Sequence, residues 1–118
     1  MALTENSKNI LNIGVKALSE KKAENISVID ISEISSIADA IVVASGNNIN
    51  QLQAMVDEAQ DKLTENHYHH LSLEGYDKGG WILMDYNDVI FHIFDKESRN
   101  FYDLERLYAD GNKLDIDM

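Results

Sequence analysis

Two short apolar runs, residues 81–86 (WILMDY) and 89–94 (VIFHIF), stand either side of Asn87-Asp88 and leave the chain little choice of local structure. Both runs are rich in β-branched and aromatic residues, the composition of strands. With Asn87-Asp88 as a two-residue loop, Tyr86 faces Val89 across a hairpin, and Asn87 is a residue that tolerates positive φ. That register sorts the side chains. Ile82, Met84, Tyr86, Val89, Phe91 and Ile93 share one face, apolar throughout, which must be core. Trp81, Leu83, Asp85, Ile90, His92 and Phe94 share the other, which is apolar but interrupted by Asp85 and His92. A sheet with two apolar faces needs cover on both, from a helix, a second copy of the chain or a partner.

At 118 residues the chain is long enough to bury a single core without staples. It contains no cysteine, which excludes disulfides and thiolate metal sites and fits a reducing compartment. No apolar run approaches membrane-spanning length, and MALTENSKN lacks the basic-then-apolar pattern of a secretory signal, so a cytoplasmic protein is the expectation. The formal net charge of −11 disfavours broad contact with phosphate backbones and suits a basic protein partner, although acidity alone also serves solubility.

The first helix is expected from near Thr4 to about Lys22, burying Leu11, Val15 and Leu18 with Ile10, Ile13 and Ala17 beside them. Residues 25–31 alternate as a strand, 32–38 form a polar connection, and 40–45 (AIVVAS) suit a central buried strand. After Gly46, Asn48 with Gln51 has the form of a capping box, and Leu52, Met55, Val56, Ala59 and Leu63 mark one helical stripe ending near Asn66. The Ser45-Gly46-Asn47-Asn48 turn offers backbone N–H groups to an anion, but one glycine and no nearby cation read better as a plain tight turn. The segment His67-Tyr68-His69-His70 offers imidazoles, but the spacing does not gather them and no fourth ligand is evident, so no metal site is assigned.

A strand over 70–74 and the turn GYDKGG then feed the hairpin. The last helix starts after Phe94, with Asp95 as N-cap, Glu97 in its first turn and Gly111 as C-terminal cap. Phe101, Leu104, Leu107 and Tyr108 are its expected buried stripe, Arg99 and Asp103 an i, i+4 pair, and Tyr102 and Glu105 point off the stripe. Residues 112–118 (NKLDIDM) form a short acidic tail, expected to fray, after a single domain over 1–111. The order is helix, strand, strand, helix, three strands, helix: an α/β chain with a mixed five-stranded sheet, flanking helices, a crossover through the second helix and a meander of the last three strands.

The segments VVASGNN and GGWILMDYNDVIFHIFDKESRNFYDLERLYAD, with the acidic helix between them, closely resemble the bacterial ribosomal silencing factor family, RsfS or Iojap. The resemblance runs from about Ile10 to Gly111, and its most specific part is W-I-L-x-D-Y-x-D-V followed by F-Y-D-L-E-R-L. It implies a nucleotidyltransferase-like α/β fold without catalysis. It further implies binding to the large ribosomal subunit through ribosomal protein fourteen, a block on joining of the small subunit, and repression of translation in starved or stationary cells; several members are dimers, so a homodimer is expected. The chain departs from the family pattern at Asn50, where a basic residue is usual, at Asn87 for Gly, at Lys96 for Pro and at Tyr108 for Trp.

The partner-binding residues expected on this basis are Trp81, Asp85, Tyr102 and Glu105 as one patch, aromatics in the middle and carboxylates facing basic side chains, with Lys78 at its border. A dimeric adaptor on another complex is the alternative. A metal-dependent nucleotidyltransferase is a weaker one: Ser45-Gly46 leads into two asparagines rather than paired acids, and Asp85 and Asp88 diverge across a hairpin loop. His92 has no Ser or Cys nucleophile beside it by any motif, and reads as a packed, hydrogen-bonded residue. No catalytic residue and no cofactor are assigned.

Overall fold

A computed structural model describes residues 3–116. The chain begins with α1 (Glu5–Glu20), capped by Thr4, whose side chain accepts from the Ser7 N–H at 3.0 Å. Strands β1 (Glu24–Asp30) and β2 (Ala40–Gly46) follow as an antiparallel pair, then α2 (Ile49–Glu65). The Asn48 side chain accepts from Gln51 N–H at 2.9 Å, while the Gln51 side chain accepts from Asn47 rather than Asn48, closing the box one residue early. Strands β3 (Ser72–Glu74), β4 (Trp81–Asp85) and β5 (Val89–Asp95) make the meander, and β5 pairs in parallel with β2.

The hairpin adopts the register its side-chain pattern demands. Trp81 lies opposite Phe94 and Met84 opposite Phe91, Tyr86 N–H donates to the Val89 carbonyl at 2.9 Å, and Asn87 sits at φ 71°. Its fully apolar face joins the larger core. There Leu52, Met55, Val56, Ala59 and Leu63 of α2 are all wholly buried, as are Ile82, Met84, Val89, Phe91 and Ile93 beneath them. Helix α1 comes down on Phe91 so closely that a Cβ on Gly14 would lie 2.4 Å from the ring, so glycine is required by the contact. Both long helices therefore cover one face of the sheet.

The sheet has six strands, not the expected five, in the order β3-β4-β5-β2-β1-β6. The sixth, β6 (Asn112–Leu114), comes from the stretch expected to fray: it pairs antiparallel with β1, Leu114 opposite Val28, and Leu114 packs on the main core. Three residues are too few for a periodic signal, which is why the tail carries no strand pattern; residues 117 and 118 of that tail lie outside the described ones.

The last helix also differs from expectation. It is two pieces, α3 (Lys96–Tyr102) and α4 (Leu104–Leu107), joined by Asp103 in the left-handed region at φ 45°. A left-handed residue rotates the next turn of helix, so positions spaced for one continuous helix no longer share a face. Phe101 and Leu107, expected in the buried stripe, are 79% and 70% exposed, and only Leu104 and Tyr108 reach the second core as half-buried residues. Gly111 is not the helix cap, which falls at Tyr108; its N–H donates to the Tyr108 carbonyl at 2.9 Å, and a Cβ there would strike Ile29. Asp95 is the N-cap of α3, accepting from Ser98 N–H at 2.7 Å.

Candidate partner-binding surface

The second face of the sheet is covered only in part. Ile29, Ile31, Ala38, Ile41, Val43, Ile90 and Phe94 form its core, with Trp81, Leu83, Leu104 and Tyr108 half-buried around them. The α3–α4 corner crosses the β1 and β2 side of this face. Toward β4 the corner reaches Trp81 through Tyr102, yet Leu83 and Trp81 remain half-buried, and Glu74, Gly75, Trp81 and Leu83 line a hollow of about 240 Å³.

Trp81 is the centre of an aromatic cluster. Its ring lies 4.5 Å from that of Tyr102, 5.0 Å from Phe94 and 5.8 Å from His92. The indole Nε1–H donates to His92 Nδ1 at 3.1 Å, which requires a neutral imidazole carrying its own proton on Nε2. Burial drives the His92 pKa down to about 4, so that neutral form is the one present near pH 7. The strand end is fixed from behind by the loop before it: Gly75 sits at φ 79°, and a Cβ there would lie 2.2 Å from the Trp81 carbonyl oxygen. Gln53 on α2 donates to the Tyr76 carbonyl at 2.8 Å, and the Tyr76 hydroxyl donates to Asp57 at 2.8 Å. The hydrogen bond to the Asp57 carboxylate, with lesser help from burial and nearby negative charge, raises the Tyr76 pKa.

Of the residues expected in one patch, Trp81 and Tyr102 do come together, and Tyr102 is 47% exposed. Lys78 is exposed in the loop leading to β4. Asp85 shares the face of Trp81 but stands at the other end of β4, about 13 Å away at the ~3.3 Å rise of a strand. There it accepts from Asn87 N–H at 2.8 Å and shapes the hairpin loop. Glu105 turns inward, over β1 and β2, and is engaged at both oxygens.

That inward cluster is what sequence reasoning missed. Arg99, expected to pair with Asp103, instead donates from Nε and Nη2 to Glu105 Oε1 at 3.1 and 3.0 Å. Its Nη1 donates to Ser45 Oγ at 3.2 Å and to the Glu24 carbonyl at 3.3 Å. Ser27 Oγ–H donates to Glu105 Oε2 at 2.7 Å. Burial alone would raise the Glu105 carboxyl, but the hydrogen bonds from Ser27 and Arg99 and the charges of Arg99 and Lys113 outweigh it and hold the group below the usual carboxylate range. The strand beneath is bulged between Glu24 and Ser27, with Asn25 at φ 52°. The hint in the sequence was Ser27 and Ser45, polar positions on strand faces otherwise made of Ile29 and Ile31 and of Ile41 and Val43; a partner six residues from Arg99 has no helical spacing to betray it.

Among the described residues, no three His, Asp or Glu side chains gather as a metal site would require. No helix among them is long and apolar enough to cross a membrane.

Comparison with known proteins agrees with the architecture. A Bacillus subtilis protein named ribosomal silencing factor RsfS is 38% identical over 112 residues, 95% of each chain. A crystal structure of a Chromobacterium violaceum protein superposes with a TM-score of 0.84 at 30% identity, covering 94% of this chain and 92% of that one. One from Bacillus halodurans superposes at 0.82 and 31% identity, covering 92% and 99%. The family model described as "Ribosomal silencing factor during starvation" matches residues 4–118, and the chain therefore belongs to the RsfS family of ribosomal silencing factors.

Proposed function

We propose that this protein binds the large ribosomal subunit through ribosomal protein fourteen and, by occupying that site, sterically blocks joining of the small subunit and represses translation. The observation that carries the reading is membership of the silencing-factor family over residues 4–118. The half-covered second face supplies a surface on which such binding can act: Trp81 and Tyr102 offer a rigid aromatic area with polar handles, the residue types that most often dominate protein interfaces. Lys78, exposed in the loop leading to β4, is expected at its border, and Asp85 shares the face at the far end of the strand. The action needs no bond chemistry, and we assign no enzymatic activity. The net charge of −11 suits a basic ribosomal protein more than the RNA around it, so contact is expected to be narrow and protein-directed in the cytoplasm.

The test is co-sedimentation with purified large subunits, followed by a subunit-joining assay. Binding to large subunits with loss of joining supports the proposal; free protein at the top of the gradient at micromolar concentration overturns it. Association with isolated ribosomal protein fourteen is expected to slow as salt rises, with dissociation changing less. We also propose a homodimer, which light scattering showing only monomer at micromolar concentration would remove.

A further inference from the structure

The α3–α4 corner is an anomaly in how it is held. No residue of α3 or α4 is fully buried, and the joint between them is a left-handed aspartate. Yet the corner carries the most exposed large apolar side chains of this face, Phe101 at 79% and Leu107 at 70%, beside Tyr102. The ring of Phe101 meets that of Tyr102 edge-on at 5.1 Å, and Tyr102 in turn meets Trp81 at 4.5 Å, so an apolar ridge runs from the corner to the open part of the sheet. Apolar anchoring is limited to half-buried Leu104 and Tyr108 and to the stacking of Tyr102 on Trp81 and Phe94. A polar clamp adds to it: the Arg99 side chain, only 11% exposed, reaches from α3 to β1, β2 and α4 at once, and Glu105 closes the ring through Ser27.

We infer that Arg99 and Glu105 are positioning residues for partner docking: their clamp sets the Phe101–Tyr102–Leu107 ridge beside Trp81 so that both form one docking surface for a basic protein. The inference rests on the proposed ribosomal function. It also changes the role of Glu105, whose oxygens are both taken by Arg99 and Ser27 and do not face a partner. A planar guanidinium can serve β1, β2 and α4 together; a lysine ammonium keeps the charge but not the fork.

The experiment compares wild-type protein with Arg99→Lys, Glu105→Gln, Phe101→Ala and the double variant Glu105→Gln/Phe101→Ala. Large-subunit affinity is read by co-sedimentation, global stability by thermal unfolding, and the local geometry by the emission of Trp81, the single tryptophan of the chain. Conservative variants are chosen because Arg99→Ala would leave the half-buried Glu105 carboxylate without its cationic partner and risk unfolding. Positioning requires that Arg99→Lys and Glu105→Gln each bind tenfold or more weakly and shift Trp81 emission to the red at temperatures where unfolding is absent. It further requires that Glu105→Gln cost little more once Phe101 is already truncated, since both act through one ridge. If the wild-type chain co-sediments and the clamp variants match it, or if their losses add in full to that of Phe101→Ala, the positioning role is wrong and the ribosomal reading stands. If wild-type protein does not co-sediment, both fall.

Discussion

The two faces of one sheet are built by different rules. On the first, α1 and α2 lay continuous apolar stripes over Phe91, Met84 and Ile93, and the contacts are close enough to demand glycine at position 14. On the second, a smaller core is capped by a broken helix tied down by an arginine, and the cover leaves Trp81 and Leu83 of β4 half-buried. The first face is made by burial, which is non-directional and strong. The second is held by a few directional bonds and leaves Trp81, Tyr102 and Phe101 within reach of a partner. The difference separates what keeps the chain folded from what another molecule can touch.

The largest effect should come from breaking the first face. Phe91 is wholly buried against Gly14, and Phe91→Ala is expected to cost about 3–5 kcal/mol, the usual loss for a buried aromatic. Chemical denaturation checks this; a loss under about 1 kcal/mol would mean that α1 does not seal this face.

Next comes acid. The folded protein protonates His92 only near pH 4, whereas an unfolded chain does so near 6.5, so the unfolded state binds more protons within that window. The contribution of His92 is fully present above pH 6.5 and falls away as pH drops through 4, by about 3 kcal/mol at the limit. Denaturation midpoints of wild-type and His92→Phe protein, measured across this range, should differ in slope. Parallel curves would show that His92 takes its proton as readily folded as unfolded.

The comparison is sharpened at Trp81. Truncation to alanine should weaken large-subunit binding by about 2 kcal/mol or more while far-ultraviolet circular dichroism stays native, because Trp81 lies at the border of the second core rather than inside it. A Trp81→Ala protein that unfolds would place this residue with the first face in kind. The smallest effect on stability is expected at Phe101: at 79% exposure, its replacement by alanine should stay within about 0.5 kcal/mol of wild type, and a larger loss would mean that the ridge is part of the core.

Legibility in the sequence divides along the same line. The hairpin register and the stripe from Leu52 to Leu63 repeat at the periods of strand and helix, and each was readable because burial writes its period into the chain; the cap at Asn48 was readable from its residue type and the Gln51 three positions on. The block around Trp81 was specific enough to resemble one family. What escaped has no period. The left-handed turn at Asp103 occupies a single residue, and aspartate is only one of several types that tolerate it. The reach of Arg99 to Glu24, Ser45 and Ser27 joins positions far apart in the chain, which no local pattern encodes. Glu105 was expected to face a partner because a carboxylate off an apparent helix stripe looks solvated; with the helix broken, that stripe does not exist.

Strand β6 has a further bearing on self-association. The margins of the sheet are β3 and β6, each three residues long, and β6 carries Lys113 at its middle. Margins so short offer an incoming chain few free backbone groups, and a charge on one of them opposes the addition of another strand. Polymerisation by strand addition, the ordinary hazard of an open sheet, is thus discouraged at both ends. A second copy would then meet the first through side chains on a face, and where that face is self-complementary two protomers close the pairing.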